Sequence, residues 1–166
     1  MPANRFESSA PAPPLAVAPA NEDDFEALLS LRMAAMRQSL QRLCRFDPQR
    51  ARERLGRALE PAHSRHILLG AERVGFVVLL PMLDVRPPHL VLDHLYVAPQ
   101  AQGQGVGNWV MAQVLDEADR RGLPLRVSAL RLSDANRFYQ RHGFELQHET
   151  EWDLHYLRPA QGDRDA

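Results

Sequence analysis

Leu95-Tyr96-Val97-Ala98-Pro99-Gln100-Ala101-Gln102-Gly103-Gln104-Gly105-Val106-Gly107 is a strand ending, a sharp stop, a glycine-rich turn and the opening of a helix. Upstream, His89–Val97 is rich in β-branched and aromatic residues and reads as a strand, which Pro99 cannot extend because it has no N–H to give to a ladder. Downstream, Trp109, Val110, Val114, Leu115 and Ala118 recur at the three-and-four spacing of one buried face, which predicts a helix from about Gln104 to Arg121. Asp116, Glu117, Asp119 and Arg120 fall on its other side.

Glycines at 103, 105 and 107 alternate with other residues in the turn. Without a Cβ, glycine opens backbone conformations closed to other residues and lets a ligand approach the main chain. The first N–H groups of the following helix have no partner within it, and the helix dipole adds positive potential there. A strand–turn–helix of this kind is an anion site suited to a phosphate or pyrophosphate. A tight connection with close packing would account for one or two of the glycines, but less well for three flanked by Gln102 and Gln104.

The chain has 166 residues, one domain by default and enough for a core of its own. Its 20 basic and 21 acidic residues leave a net charge of −1, so no nucleic-acid footprint is expected. No apolar run is long enough to span a membrane, and the N-terminus lacks the apolar stretch of a signal peptide. Cys44 is the only cysteine, which excludes an internal disulfide framework and fits the cytoplasm.

Residues 1–13 are rich in Ala, Pro and Ser and read as a disordered tail, as do residues 159–166, leaving 14–158 as the folded domain. A short strand at Pro14–Pro19 leads to Asn21, a helix N-cap followed by acidic residues at the positive end of the dipole. A first helix to about Gln41 and a second from Gln49 to about Glu60 flank Cys44–Pro48. Asp47 can cap the second helix, and Pro48 suits its first position. The arginines of that second helix read as a solvated face. Strands at Arg65–Leu69 and Arg73–Pro81 form a hairpin, with Gly75 marking a bulge or a close backbone approach. Beyond Gly122 come a strand at Leu125–Leu130, a short helix Ala135–His142 stopped by Gly143, and strands at Phe144–His148 and Glu151–Leu157. The order strand, two helices, three strands, helix, strand, helix, two strands predicts one sheet with helices on both faces, a mixed α/β (α+β) fold.

Two stretches carry a resemblance. Gln102, Gly105 and Gly107 fill the acetyl-CoA signature of the GCN5-related N-acetyltransferases: Gln or Arg, two residues, Gly, one residue, then Gly or Ala. Ala135-Asn136-Arg137-Phe138-Tyr139-Gln140-Arg141-His142-Gly143-Phe144 is similar to the later segment of that family, where a small residue precedes an aromatic-Tyr pair and Gly-Phe ends the helix. The Asn usual three residues before the small residue is Leu132 here, a departure from the pattern. The resemblance spans roughly Leu15 to Leu157 and implies a mostly antiparallel, twisted sheet of about seven strands.

It also implies acetyl-CoA as co-substrate and a primary amine, of a small molecule or peptide, as acceptor. The pyrophosphate would lie on the backbone of Gln102, Gly103, Gln104, Gly105, Val106 and Gly107, with Asn136 also on the cofactor. The pantetheine would pair like a short strand with Leu95 and Val97, an N–H near Leu95 or Tyr96 serving the oxyanion. This requires the central strand to part from its neighbour, Leu125–Leu130. Tyr139 would hydrogen-bond the departing thiolate. Arg45 and Phe46 fall in the segment that lines the acceptor side, and Tyr156 either closes that pocket or fills the core. A homodimer is compatible with the family, and no His, Cys or carboxylate spacing suggests a metal.

Asp93 is the candidate base. By the two-residue period it shares a face with Val91, Leu95 and Val97, with adjacent His94 pointing the other way. A carboxylate in an apolar strand is costly unless it meets a pocket or a partner. Proton removal is one reading, and recognition of a cationic substrate or a pair with one of the many arginines is the other, about equal to it. A non-catalytic acyl-CoA-binding module is the alternative function.

Overall fold

The computed structural model describes residues 13–42 and 47–162. The described part of the chain builds one seven-stranded sheet: β1 Leu15–Pro19, β2 Ser64–Leu69, β3 Glu72–Met82, β4 His89–Val97, β5 Leu125–Leu130, β6 Glu145–Glu149 and β7 Asp153–Arg158. Their spatial order is β1-β2-β3-β4-β5-β7-β6, and every pairing is antiparallel except β4 with β5. The expected mixed α/β arrangement and the mostly antiparallel sheet are both observed.

Among the described residues four α-helices cover the faces: α1 Phe25–Arg42, α2 Pro48–Ala58, α3 Val106–Arg121 and α4 Ala135–Arg141. Local chemistry sets their ends. The Asn21 side chain accepts from the Asp23 N–H at 2.9 Å, and the Asn21 N–H donates to Asp24 at 2.9 Å, fixing the turn that leads into α1. Asp47 accepts from the Arg50 N–H at 3.1 Å, and Pro48 opens α2. Gly122, at φ 62°, closes α3.

The sheet separates two apolar clusters. On one face, Val106, Val110, Met111, Val114 and Ala118 of α3 pack with Leu90, Leu92, Leu125, Val127, Tyr139 and Phe144. On the other, Leu28 and Leu29 of α1 and Leu55 of α2 pack on Phe76 and Val78.

Three irregularities shape the centre of the sheet. Gly75 is a close approach of backbone, since a Cβ there would collide with the Tyr96 carbonyl. The β2–β3 register slips beside it, leaving Val74 between Ile67↔Gly75 and Leu68↔Arg73. On β4, Val78 faces His94 and Leu79 faces Leu92, so Asp93 is the extra residue of a bulge. Third, β4 and β5 pair only at Leu90↔Leu125, Val91↔Arg126 and Leu92↔Val127. Beyond Leu92 the two strands part.

The bulge corrects the expected faces of β4. Leu90, Leu92, Leu95 and Val97 all reach the α3 cluster, whereas Tyr96 packs with the α1–α2 cluster. Asp93 therefore does not share a simple alternating face with Val91, Leu95 and Val97, because one inserted residue reverses the parity of everything after it.

Candidate active site

The parting of β4 from β5 opens a groove of about 550 Å³. One end is the glycine turn, the middle is the separated strands, and the far end lies between α1, α2 and β7. Leu95, Tyr96, Val97, Gln102, Gly103, Gly105, Val106, Gly107, Asp93 and Tyr139 all line it. Residues that the sequence places far apart are thus brought to one surface.

The turn is held from both sides. Gly103 and Gly105 adopt φ of 77° and 79°, and Gly105 caps α3 in the left-handed region. The Gln102 amide donates back to the Val97 carbonyl at 2.9 Å, tying the turn to the end of β4. Gln104, whose amide donates to the Gln100 carbonyl at 3.3 Å, is not on the groove wall. Gly107 lies 3.5 Å, measured from the place of a Cβ, from the Phe138 ring, so its lack of side chain brings α3 and α4 together. The result is the start of a 16-residue helix facing an open groove, an arrangement that receives anions.

Tyr139 is buried on α4, its ring edge-on to Phe138 and Phe144 at centroid distances of 5.6 Å. Burial pushes its hydroxyl well above the ordinary tyrosine range, so the group stays protonated and can donate. Asn136 does not reach the groove. Its amide donates to the Leu130 and Ser133 carbonyls at 2.9 Å, and its oxygen accepts from the Tyr156 hydroxyl at 2.8 Å. Tyr156 is buried and likewise absent from the groove wall. The two side chains join β5, α4 and β7 and so set the position of Tyr139.

Asp93 is half-buried on the groove wall, and desolvation raises its pKa against the lowering influence of Arg54 and Arg32. His94 lies beside it rather than on the far side: its Nε2 is 3.2 Å from the Asp93 carboxylate. The approach is not aligned as a hydrogen bond, and both ring nitrogens lack a partner among the described residues. Burial, with Arg32 and Arg54 adding, pushes the imidazole down to about 3, so it is neutral at any working pH. Its ring sits 5.9 Å from Phe76 and 5.6 Å from Tyr96.

Arg54 was not legible as a site residue. It belongs to the helix whose arginines read as a solvated face, yet it lines the same groove as Asp93 and Asp153. Arg50 and Arg57 line an adjoining surface opening, and Arg52 pairs with Glu26 at 2.6 Å. From α1, Met36, Ser39 and Arg42 also reach the groove. Arg45, Phe46 and Cys44 lie outside the described residues. No group of three or more His, Cys, Asp or Glu side chains able to hold a metal occurs among the described residues.

Residues 63–146, half of the chain, match a family model described as the acetyltransferase (GNAT) domain. No curated protein matches the chain. Among solved structures, an acetyltransferase from Thermus thermophilus is similar at 19% identity and TM-score 0.68, covering 87% of this chain and 96% of that one. The ribosomal-protein-S18-alanine N-acetyltransferase of Escherichia coli is similar at 16% identity and TM-score 0.64, covering 91% and 98%. The PaiA N-acetyltransferase of Thermoplasma acidophilum, determined in complex with coenzyme A, is similar at 12% identity and TM-score 0.66, covering 88% and 99%.

Proposed function

Because the chain belongs to the GNAT acetyltransferase family, whose acyl donor is acetyl-CoA, we propose that it transfers the acetyl group directly to a primary amine of a small molecule or peptide. The observation that carries this reading is the groove itself. It joins a helix start, a stretch of β4 without a β5 partner, a buried tyrosine and a half-buried carboxylate in one cavity. The backbone of Gln102 to Gly107 holds the pyrophosphate, and the unpaired edge of β4 from Leu95 to Val97 receives the pantetheine amides.

In the reaction the amine nitrogen bonds to the thioester carbon, the carbon–sulfur bond breaks, and the proton that the new amide nitrogen sheds ends on the departing thiolate, giving the CoA thiol. Asp93 takes the proton that the ammonium form must lose. Its raised pKa brings it closer to neutral pH, where a base is most effective. A backbone N–H near Leu95 or Tyr96 faces the developing oxyanion. Tyr139 donates a hydrogen bond to the sulfur. An ordinary phenol is already a weaker acid than a thiol, and burial weakens this one further, so a strengthening hydrogen bond rather than full proton transfer is its part. Asn136 and Tyr156 act at one remove, as the brace of α4.

The test is thermal stabilisation by acetyl-CoA, then release of CoA across a panel of amines, amino acids, polyamines and peptides. A ligand that binds only the folded state must raise the melting temperature when present far above its dissociation constant. No shift at millimolar acetyl-CoA would overturn the proposal.

A further inference from the structure

Resting on the acetyl-transfer reading, we infer that the acceptor carries a carboxylate beside its amine, and that Arg54 is the residue that selects for it.

Arg54 stands at the far end of the groove, on the wall shared with Asp93, and also lines the adjoining surface opening. It forms no ion pair among the described residues, although Asp153 lines the same end. Behind this wall is a second cation. Arg32 is only 5% exposed, its guanidinium carbon is 5.6 Å from the Tyr96 ring centroid, and its buried Nε has no hydrogen-bond partner among the described residues. It is on the face of α1 that continues, three, four and seven residues on, to Ala35, Met36 and Ser39, all lining the groove. Both guanidinium charges act on Asp93 and on His94.

A buried arginine without a carboxylate partner is costly to maintain. Buried Arg32 and exposed Arg54 both act on half-buried Asp93, and neither forms an ion pair with Asp93 or Asp153. A simple alkylammonium ion drawn to Asp93 comes close to the Arg54 guanidinium and offers it no counter-charge. An acceptor that brings its own carboxylate gives Arg54 a planar, bidentate partner, which guanidinium matches well. The amine then lies against Asp93 and the carboxylate against Arg54. Polyamines and other polycations bring Arg54 no such partner. The class indicated is an amino acid or a short peptide with a nearby carboxylate.

The experiment measures CoA release by the full chain with paired acceptors: α-, β-, γ- and ε-amino acids, each against the alkylamine or amide of the same skeleton, with spermidine as a polycation. At least one carboxylate-bearing acceptor is expected to exceed its carboxylate-free partner at least tenfold in kcat/KM. Arg54→Gln should remove most of that preference by raising the KM of the carboxylate-bearing acceptor, leaving the KM for acetyl-CoA unchanged and not lowering kcat/KM for the carboxylate-free partner. Arg54 is exposed, so the variant should fold, and acetyl-CoA-dependent melting verifies it. Better use of spermidine or the plain amines, no turnover of any amino acid, or equal losses for both partners in Arg54→Gln would overturn the inference alone. Absence of stabilisation by acetyl-CoA in the wild type would overturn the acetyl-transfer reading and this inference with it.

Discussion

The Asp93 carboxylate and the His94 ring stand 3.2 Å apart, although neighbours on an undisturbed strand face opposite sides. The bulge at Asp93 brings them together at the point where β4 leaves β5. A carboxylate with a raised pKa and an imidazole held neutral share one partly dry corner of the groove. Removing either changes the setting of the other.

Asp93→Asn should lower kcat/KM at neutral pH by roughly a hundred- to ten-thousand-fold if the carboxylate takes the amine proton. The acid limb of the wild-type pH–rate profile should lie above the ordinary carboxylate range, because burial raises this pKa and the ionised form is the active one. In the variant, half-maximal rate should move to higher pH. An unchanged profile with a raised acceptor KM would assign Asp93 to substrate recognition instead.

Stability should respond to His94 with a definite sign. Its pKa falls from 6.5 to about 3 on folding, so between those values the unfolded chain binds more protons, and stability drops as the pH falls through that window. One proton corresponds to a slope of at most ~1.4 kcal/mol per pH unit. His94→Gln should flatten the dependence in urea denaturation. Asp93 works the other way: its raised pKa gives stability below the unfolded value that is lost as pH rises through the folded one. Asp93→Asn should therefore steepen the loss toward acid and stabilise the protein at pH 7.

Tyr139→Phe should reduce kcat with little change in acetyl-CoA affinity, since the ring packing with Phe138 and Phe144 is retained. The hydroxyl is pushed up by burial, so no alkaline limb from this group should appear in the accessible range. Isothermal titration with acetyl-CoA beside steady-state rates separates the two effects, and unchanged turnover would remove Tyr139 from the chemistry.

Leu132 is the non-glycine residue with positive φ, 67°, among the described residues, and it is 63% exposed. Left-handed backbone costs an L-residue roughly 1–2 kcal/mol, less for Asn or Gly. Leu132→Asn should raise stability by about 1 kcal/mol, read from the urea midpoint, without loss of a buried contact. The hydrogen bond that the Arg42 guanidinium donates to the Leu132 carbonyl, at 3.0 Å, uses only the backbone of residue 132 and should persist.

Much of this was legible in the chain because period and punctuation are local. Gly103 and Gly105 announce left-handed turns, Asp47-Pro48 announces a helix start, and Gly75 announces a close strand crossing. The bulge was not legible, since nothing in Leu92-Asp93-His94 says that one residue lies outside the ladder; that depends on how β3 meets β4. Nor could helix periodicity separate Arg54 from Arg50, Arg52 and Arg57, because what distinguishes it is the distant strand it faces. Asn136 and Tyr156 are 20 residues apart and meet only through the β5–β7 pairing.

The short contact between β4 and β5 also divides the sheet mechanically. β1, β2, β3 and β4 form one wing and β5, β7 and β6 the other, joined through the backbone at Leu90↔Leu125, Val91↔Arg126 and Leu92↔Val127. A ligand that bonds to the free edge of β4 extends that seam and acts as a splint between the wings. Amide hydrogen exchange along Leu95–Val97 and Ser128–Leu130 should slow when acetyl-CoA is added, because the opening of the seam, rather than of either wing, is the motion the ligand suppresses.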